Sequence, residues 1–131
     1  MKRQLMILLV LATLPVHAEW VKFQETPDRG AFYLDLQTVA GSASLRSVWM
    51  LADYGERGAQ GERSAKILRE YDCDSGRTRA VRFEVYKESM GTGALLQRDD
   101  EVTPWQPVPP DSPGAAILAS VCAAGRGGQS V

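Results

Sequence analysis

Ser64 and Lys66 stand two residues apart, a spacing that puts both side chains on one face of a strand. A desolvated lysine beside a serine can run acyl transfer, but nothing flanking Lys66 marks it as buried, and a strand lysine is ordinarily a solvated edge charge. No catalytic role is assigned to the pair. Carboxylates offer a second chemistry. Asp99, Asp100 and Glu101 are adjacent, and Asp72 and Asp74 flank a turn, so either group could present oxygens to a hard cation. A calcium loop starting at Asp72 fails on spacing: glycine sits at its fifth place instead of its sixth, and Phe83 stands where the bidentate glutamate belongs. Gly91-Thr92-Gly93 resembles a piece of a phosphate loop, but no third glycine, Lys-Ser/Thr pair or helix start follows, so it reads as a bulge or tight bend. Neither a metal site nor a cofactor is expected.

The N-terminus narrows the chemistry further. Lys2 and Arg3, the apolar run from Leu5 to Leu14, and small residues Val16 and Ala18 before a cleavage point describe a secretory signal peptide over residues 1–18. The run is roughly half of the ~20 residues a membrane-spanning helix needs, so no transmembrane segment is expected. With no cysteine after the run, the mature chain should begin at Glu19 without a lipid anchor, periplasmic or secreted. The single histidine of the 131 residues, His17, leaves with the signal. A mature chain without imidazole has no Ser-His-Asp or Cys-His pair and no histidine-ligated zinc. The formal charge of −1 becomes more negative once Lys2 and Arg3 are removed, which argues against nucleic acid as a partner.

Both cysteines, Cys73 and Cys122, survive processing and reach an oxidising compartment, where one disulfide is the default. Short alternating runs broken by turn residues predict an antiparallel sheet. Strands are expected over Trp20 to Glu25, Ala31 to Asp35, Leu45 to Tyr54, Ser64 to Cys73, Arg77 to Lys87 and Ala94 to Leu96. Leu45, Trp49 and Leu51 alternate with Val48, Met50 and Ala52, so the third strand wants cover on both faces. Val81, Phe83 and Val85 oppose Arg82 and Glu84. Five prolines between Thr103 and Pro113 exclude a helix or interior strand there. Ser112-Pro113 is a helix start, and Ala115 to Ala124 continues it with Leu118, Val121 and Cys122 on one side. An inward Cys73 on a strand and an inward Cys122 on a helix can meet. The predicted class is α+β: one antiparallel sheet of about six strands with a C-terminal helix stapled to one face, as a single domain over residues 19–124 followed by a flexible tail at 125–131.

Binding features remain. Lys66, Arg69, Arg77, Arg79, Arg82 and Lys87 concentrate on one hairpin as a candidate patch for an acidic partner, against Glu70, Asp72, Asp74 and Glu84, which favour an ordinary mixed-charge solvated face. Trp20, Trp49, Tyr54, Tyr86 and Trp105 could anchor an interface, although strand aromatics are most often core.

In order, Glu19-Trp20, Tyr33-Leu34-Asp35, Val48 through Tyr54, Ser64-Ala65-Lys66 leading to Glu70-Tyr71-Asp72-Cys73, Met90 through Gly93, Trp105 through Pro110, and Cys122 make the chain resemble the surface-adhesin protein E family of Gram-negative bacteria. The resemblance implies a sheet of about six strands with a disulfide-tethered helix. It also implies homodimers in some members and adhesion to host matrix proteins such as vitronectin and laminin. Adhesive members are lipid-anchored, and this chain lacks the cysteine for that. The expected function is an exported, non-enzymatic adhesin E-like binding module with a protein partner, for which the resemblance implies a host matrix protein. The alternative is a soluble periplasmic module binding a bacterial envelope protein or a small ligand, and the least favoured is a small serine- or carboxylate-based hydrolase.

Overall fold

The computed structural model describes residues 18–124. The expected signal peptide, Ala18 apart, and the expected tail at 125–131 lie outside the described residues. Strands β1 (Val21–Thr26), β2 (Gly30–Gly41), β3 (Leu45–Asp53), β4 (Ser64–Asp72), β5 (Arg77–Tyr86) and β6 (Leu95–Asp99) form an antiparallel sheet in simple sequence order. A two-residue strand, β7 (Gln106–Pro107), pairs with the start of β5, and α1 (Pro113–Ala124) packs on one face. Closely spaced turns leave each strand no route except back beside its predecessor.

Two turns show how local chemistry sets this order. Between β1 and β2, Thr26 Oγ1 accepts the Arg29 N–H at 3.2 Å, and Gly30 follows with φ +85°. A Cβ at Gly30 would lie 2.0 Å from the Asp53 carbonyl oxygen, so glycine is required both by its dihedral and by the close approach of β3. Between β4 and β5, the Asp72 carboxylate accepts the N–H groups of Asp74 (3.0 Å) and Ser75 (3.1 Å), an Asx turn that reverses the chain.

The expected strands are all present, with shifted ends. The largest difference is β2, which runs past Asp35 to Gly41. A register shift after Asp35 breaks the ladder, and the Thr38 hydroxyl bridges the gap by accepting the Trp49 N–H at 3.0 Å while donating to the Asp35 carbonyl at 2.6 Å. The exposed Leu36 and Gln37 sit in this irregular stretch, which is why alternation ends there in the sequence.

The main core lies between the sheet and α1: Leu34, Val48, Tyr71, Ile117 and Val121, bordered by Phe23, Val39, Met50, Val108 and Leu118. Val48 and Val121 are fully buried, each contributing about 1.5–3 kcal/mol of transfer free energy. Ile117 and Val121, one helical turn apart, carry the burial, and Leu118 packs beside them. The helix starts as expected: Ser112 Oγ accepts the Ala115 N–H at 3.2 Å, with Pro113 in the first position. The Cys73–Cys122 disulfide ties the helix to the end of β4, with the two α-carbons 5.9 Å apart. β3, central in the sheet, is covered on both sides: Val48 and Met50 face α1, while Leu51 is buried on the opposite face beside a 3₁₀ turn at Ser89–Gly91. No helix among the described residues is long and apolar enough to cross a membrane.

Candidate functional site

Cross-strand register decides which side chains share the face without the helix. Leu51 pairs with Lys66 and Lys66 with Glu84; Trp49 pairs with Leu68 and Leu68 with Arg82; Glu70 pairs with Arg79 and Asp72 with Arg77. Paired residues point the same way, so these side chains form one surface. Arg82 and Arg79 are three apart and would oppose each other in a regular strand. A bulge between the Leu68–Arg82 and Arg69–Ala80 pairs leaves Val81 without a partner and turns Arg79 and Arg77 to the side of Arg82. The clean alternation expected through Val81 is broken at that residue.

The six basic residues of the candidate patch are therefore separated. Lys66, Arg77, Arg79 and Arg82 share the helix-free face. Arg69 falls on the other side, where its Nη1 donates to Thr78 Oγ1 at 3.3 Å, and Lys87 lies beyond the end of β5. The clustered arginines each meet an acid: Arg77 with Asp72 at 3.7 Å, Arg79 with Glu70 at 3.0 Å, and Arg82 with Asp100 at 2.7 Å. The Arg82 hydrogen bond, assisted by Arg98, holds the Asp100 carboxyl below the usual carboxylate range. The Ser75 hydrogen bonds do the same for Asp72. The result is a charge-paired surface rather than a bare cationic one.

Aromatic rings border this surface. Trp105, carried on the proline-rich segment, has the Arg79 guanidinium 4.4 Å and the Arg77 guanidinium 5.8 Å from its ring centroid. That segment is fixed to β5 by the Thr103 N–H donating to the Ala80 carbonyl (3.0 Å) and the Ala80 N–H to Thr103 Oγ1 (2.9 Å). Lys66 Nζ lies 5.1 Å from the centroid of the Tyr86 ring, whose hydroxyl is pushed above its ordinary pKa by burial and then by Glu84. Trp20 and Trp49 line a recess of ≈180 Å³ together with Asp35, Thr38, Lys66 and Glu84. A larger open cleft of ≈800 Å³ lies at one end of the sheet, between Pro27–Gly30, Phe32 and the Tyr54–Glu56 segment.

The remaining candidates have structural partners. Ser64 is fully buried; its hydroxyl donates to the Glu88 carbonyl and accepts the Gly91 N–H at 2.8 Å. No hydrogen bond joins it to Lys66. Both oxygens of Asp100 meet Arg98, and Asp99 Oδ1 accepts the Glu101 N–H at 2.8 Å. Among the described residues, no group of three or more His, Cys, Asp or Glu could hold a metal ion. Gly91 and Gly93, with φ +67° and +77°, form the tight bend expected of them. Two residues escaped the sequence reading as interior groups, Asp35 (3% exposed) and Arg46 (6%). Neither has a local signal, because their burial depends on what crosses them from elsewhere in the chain.

The fold is known from solved structures. The selenomethionine form of Haemophilus influenzae protein E superposes with a TM-score of 0.61 at 15% identity, covering 83% of this chain and 89% of that one. Protein E from non-typeable Haemophilus influenzae gives 0.61 at 15% identity, over 85% and 80%. A further Haemophilus influenzae protein E structure gives 0.59 at 14% identity, over 89% and 92%. At such identities the likeness is one of fold. No curated protein matches the chain. The model of the family described as surface-adhesin protein E matches residues 20–123, from Trp20 through the second cysteine of the staple, and the chain belongs to that family.

Proposed function

We propose that the chain is an exported, non-enzymatic binding module that holds a protein partner on the helix-free face of its sheet, with a host extracellular-matrix protein as the first partner class. The observation that carries this reading is the Trp105–Arg79–Glu70 arrangement on that face. Tryptophan and arginine held in place by stacking and an ion pair lose little conformational freedom on binding, and such residues dominate interface energetics. Membership in a surface-adhesin family supports export and a protein partner. The commitment of the Ser64 hydroxyl to the 3₁₀ turn supports a non-catalytic role for that serine.

The reading is tested by titrating purified protein against immobilised matrix proteins, with Trp105→Ala and Arg79→Ala as paired controls. Loss of binding in both variants, with the fold retained by circular dichroism, supports it. Undiminished binding in both places the contact elsewhere and defeats it. The cleft beside Tyr54 favours a second reading, a periplasmic module for a small ligand. Release by osmotic shock, with no protein at the cell surface, selects that alternative.

A further inference from the structure

Asp35 is a buried carboxylate on β2, and no lysine or arginine among the described residues lies within ion-pair distance of it. A buried charge without a counterion is costly. Its Oδ1 accepts the Gln37 N–H at 3.1 Å, and its Oδ2 accepts, also at 3.1 Å, the backbone N–H of Glu19. Glu19 is the residue at which the signal-peptide reading starts the mature chain, and Ala18, which would depart with the signal, forms part of the wall of the adjoining recess.

We propose that Asp35 is the receptor for the mature chain's own N-terminus: cleavage after Ala18 converts the Glu19 amide into an α-ammonium that forms an ion pair with this buried carboxylate at the rim of the recess. In the cleavage, water gives its hydroxyl to the Ala18 carbonyl carbon and a proton to the Glu19 nitrogen as the C–N bond breaks; the amine then takes a second proton from solvent. One neutral donor becomes three, with a positive charge, at the position already hydrogen-bonded to Oδ2. The other charged groups lining the recess are Lys66 from β4, which opposes the ammonium, and Glu84 from β5, which favours it. Trp20, Trp49 and Thr38 supply the rest of the wall. Processing thereby strengthens an existing tether of the N-terminal segment at the border of the helix-free face.

The inference rests on cleavage after Ala18, and the two are tested separately. Intact mass and N-terminal sequencing of the exported protein read the cut; a different terminus overturns the link to processing. A chain beginning at Glu19, released from a fusion by a protease, tests the ion pair itself, with and without N-acetylation, which restores the amide of the precursor. In the free chain the α-amino pKa, followed by NMR at labelled Glu19, should stand at least about one unit above the ordinary ~7.7–8.0, a tenfold gain in proton affinity. Because the folded value is raised, the added stability is complete below the unfolded value and is lost as pH rises through the folded one. Acetylation should therefore lower the urea midpoint at pH 7, and have no such effect in Asp35→Asn. An α-amino pKa in the ordinary range, or an equal effect of acetylation in Asp35→Asn, overturns the ion pair. Should Asp35→Asn fail to fold, the pKa in the wild-type chain decides.

Discussion

Replacing Cys73 and Cys122 by alanine tests how the helix is held. The bridge closes a sequence separation of 49 residues, for which chain-entropy bookkeeping gives about 4 kcal/mol of stabilisation through the unfolded state. A helix of 12 residues is marginal alone, so without the staple α1 depends on the burial of Ile117 and Val121 against Leu34, Val48 and Tyr71. For a domain of this size each kcal/mol corresponds to ~4–8 °C, and the melting temperature should fall by roughly 16–32 °C. Urea unfolding followed by tryptophan fluorescence, on oxidised wild type, reduced wild type and the double variant, measures the loss. Reduced wild type and the variant should agree, since both free the same loop. A loss below about 1 kcal/mol, or unreduced peptide maps in which Cys73 and Cys122 are not linked, would refute the reasoning.

Val121→Ala removes two fully buried methyl groups from the helix–sheet core and should cost about 2–3 kcal/mol in the same urea assay, with the disulfide intact. Gly30→Ala forces a side chain into a left-handed dihedral and against the Asp53 carbonyl, so a loss of about 2 kcal/mol or more is expected in thermal unfolding; a neutral effect would mean β3 does not approach that closely. Arg82→Gln removes the largest cause of the depressed Asp100 pKa, and the carboxyl resonance should titrate closer to its ordinary 3.8. The depressed value makes this pair's contribution present above the unfolded pKa and lost as pH falls through the folded one. At the alkaline end, burial raises the Tyr71 hydroxyl, so its stabilising effect holds below the ordinary value of 10.0 and is lost as pH rises through the folded one; ultraviolet titration of wild type against Tyr71→Phe reads it.

Much of this protein was legible locally. Period-two alternation located β3, β4 and the second half of β5, and Thr26-Pro27-Asp28-Arg29-Gly30 and Asp74-Ser75-Gly76 marked two of the reversals. Ser112-Pro113 marked the helix start, and two inward cysteines in an exported chain predicted the staple. These features depend on residues a few positions apart, whose dihedral and capping preferences act without knowledge of the rest of the chain.

The surface was less legible because faces are assigned by register, and one extra residue reverses every assignment beyond it. The bulge at Val81 has no sequence mark, yet it gathers Arg77, Arg79 and Arg82 on one side while Arg69 lies on the other. Trp105 reaches its arginines, and the Glu19 nitrogen reaches Asp35, from segments that are distant in sequence. The amino acids alone determined the strand-rich class, the turns, the helix and the disulfide, all products of short-range preference and burial pattern. Which charges pair, which rings border the open face and which acid is buried were decided only by tertiary structure, because each depends on a partner that folding brings across the sheet.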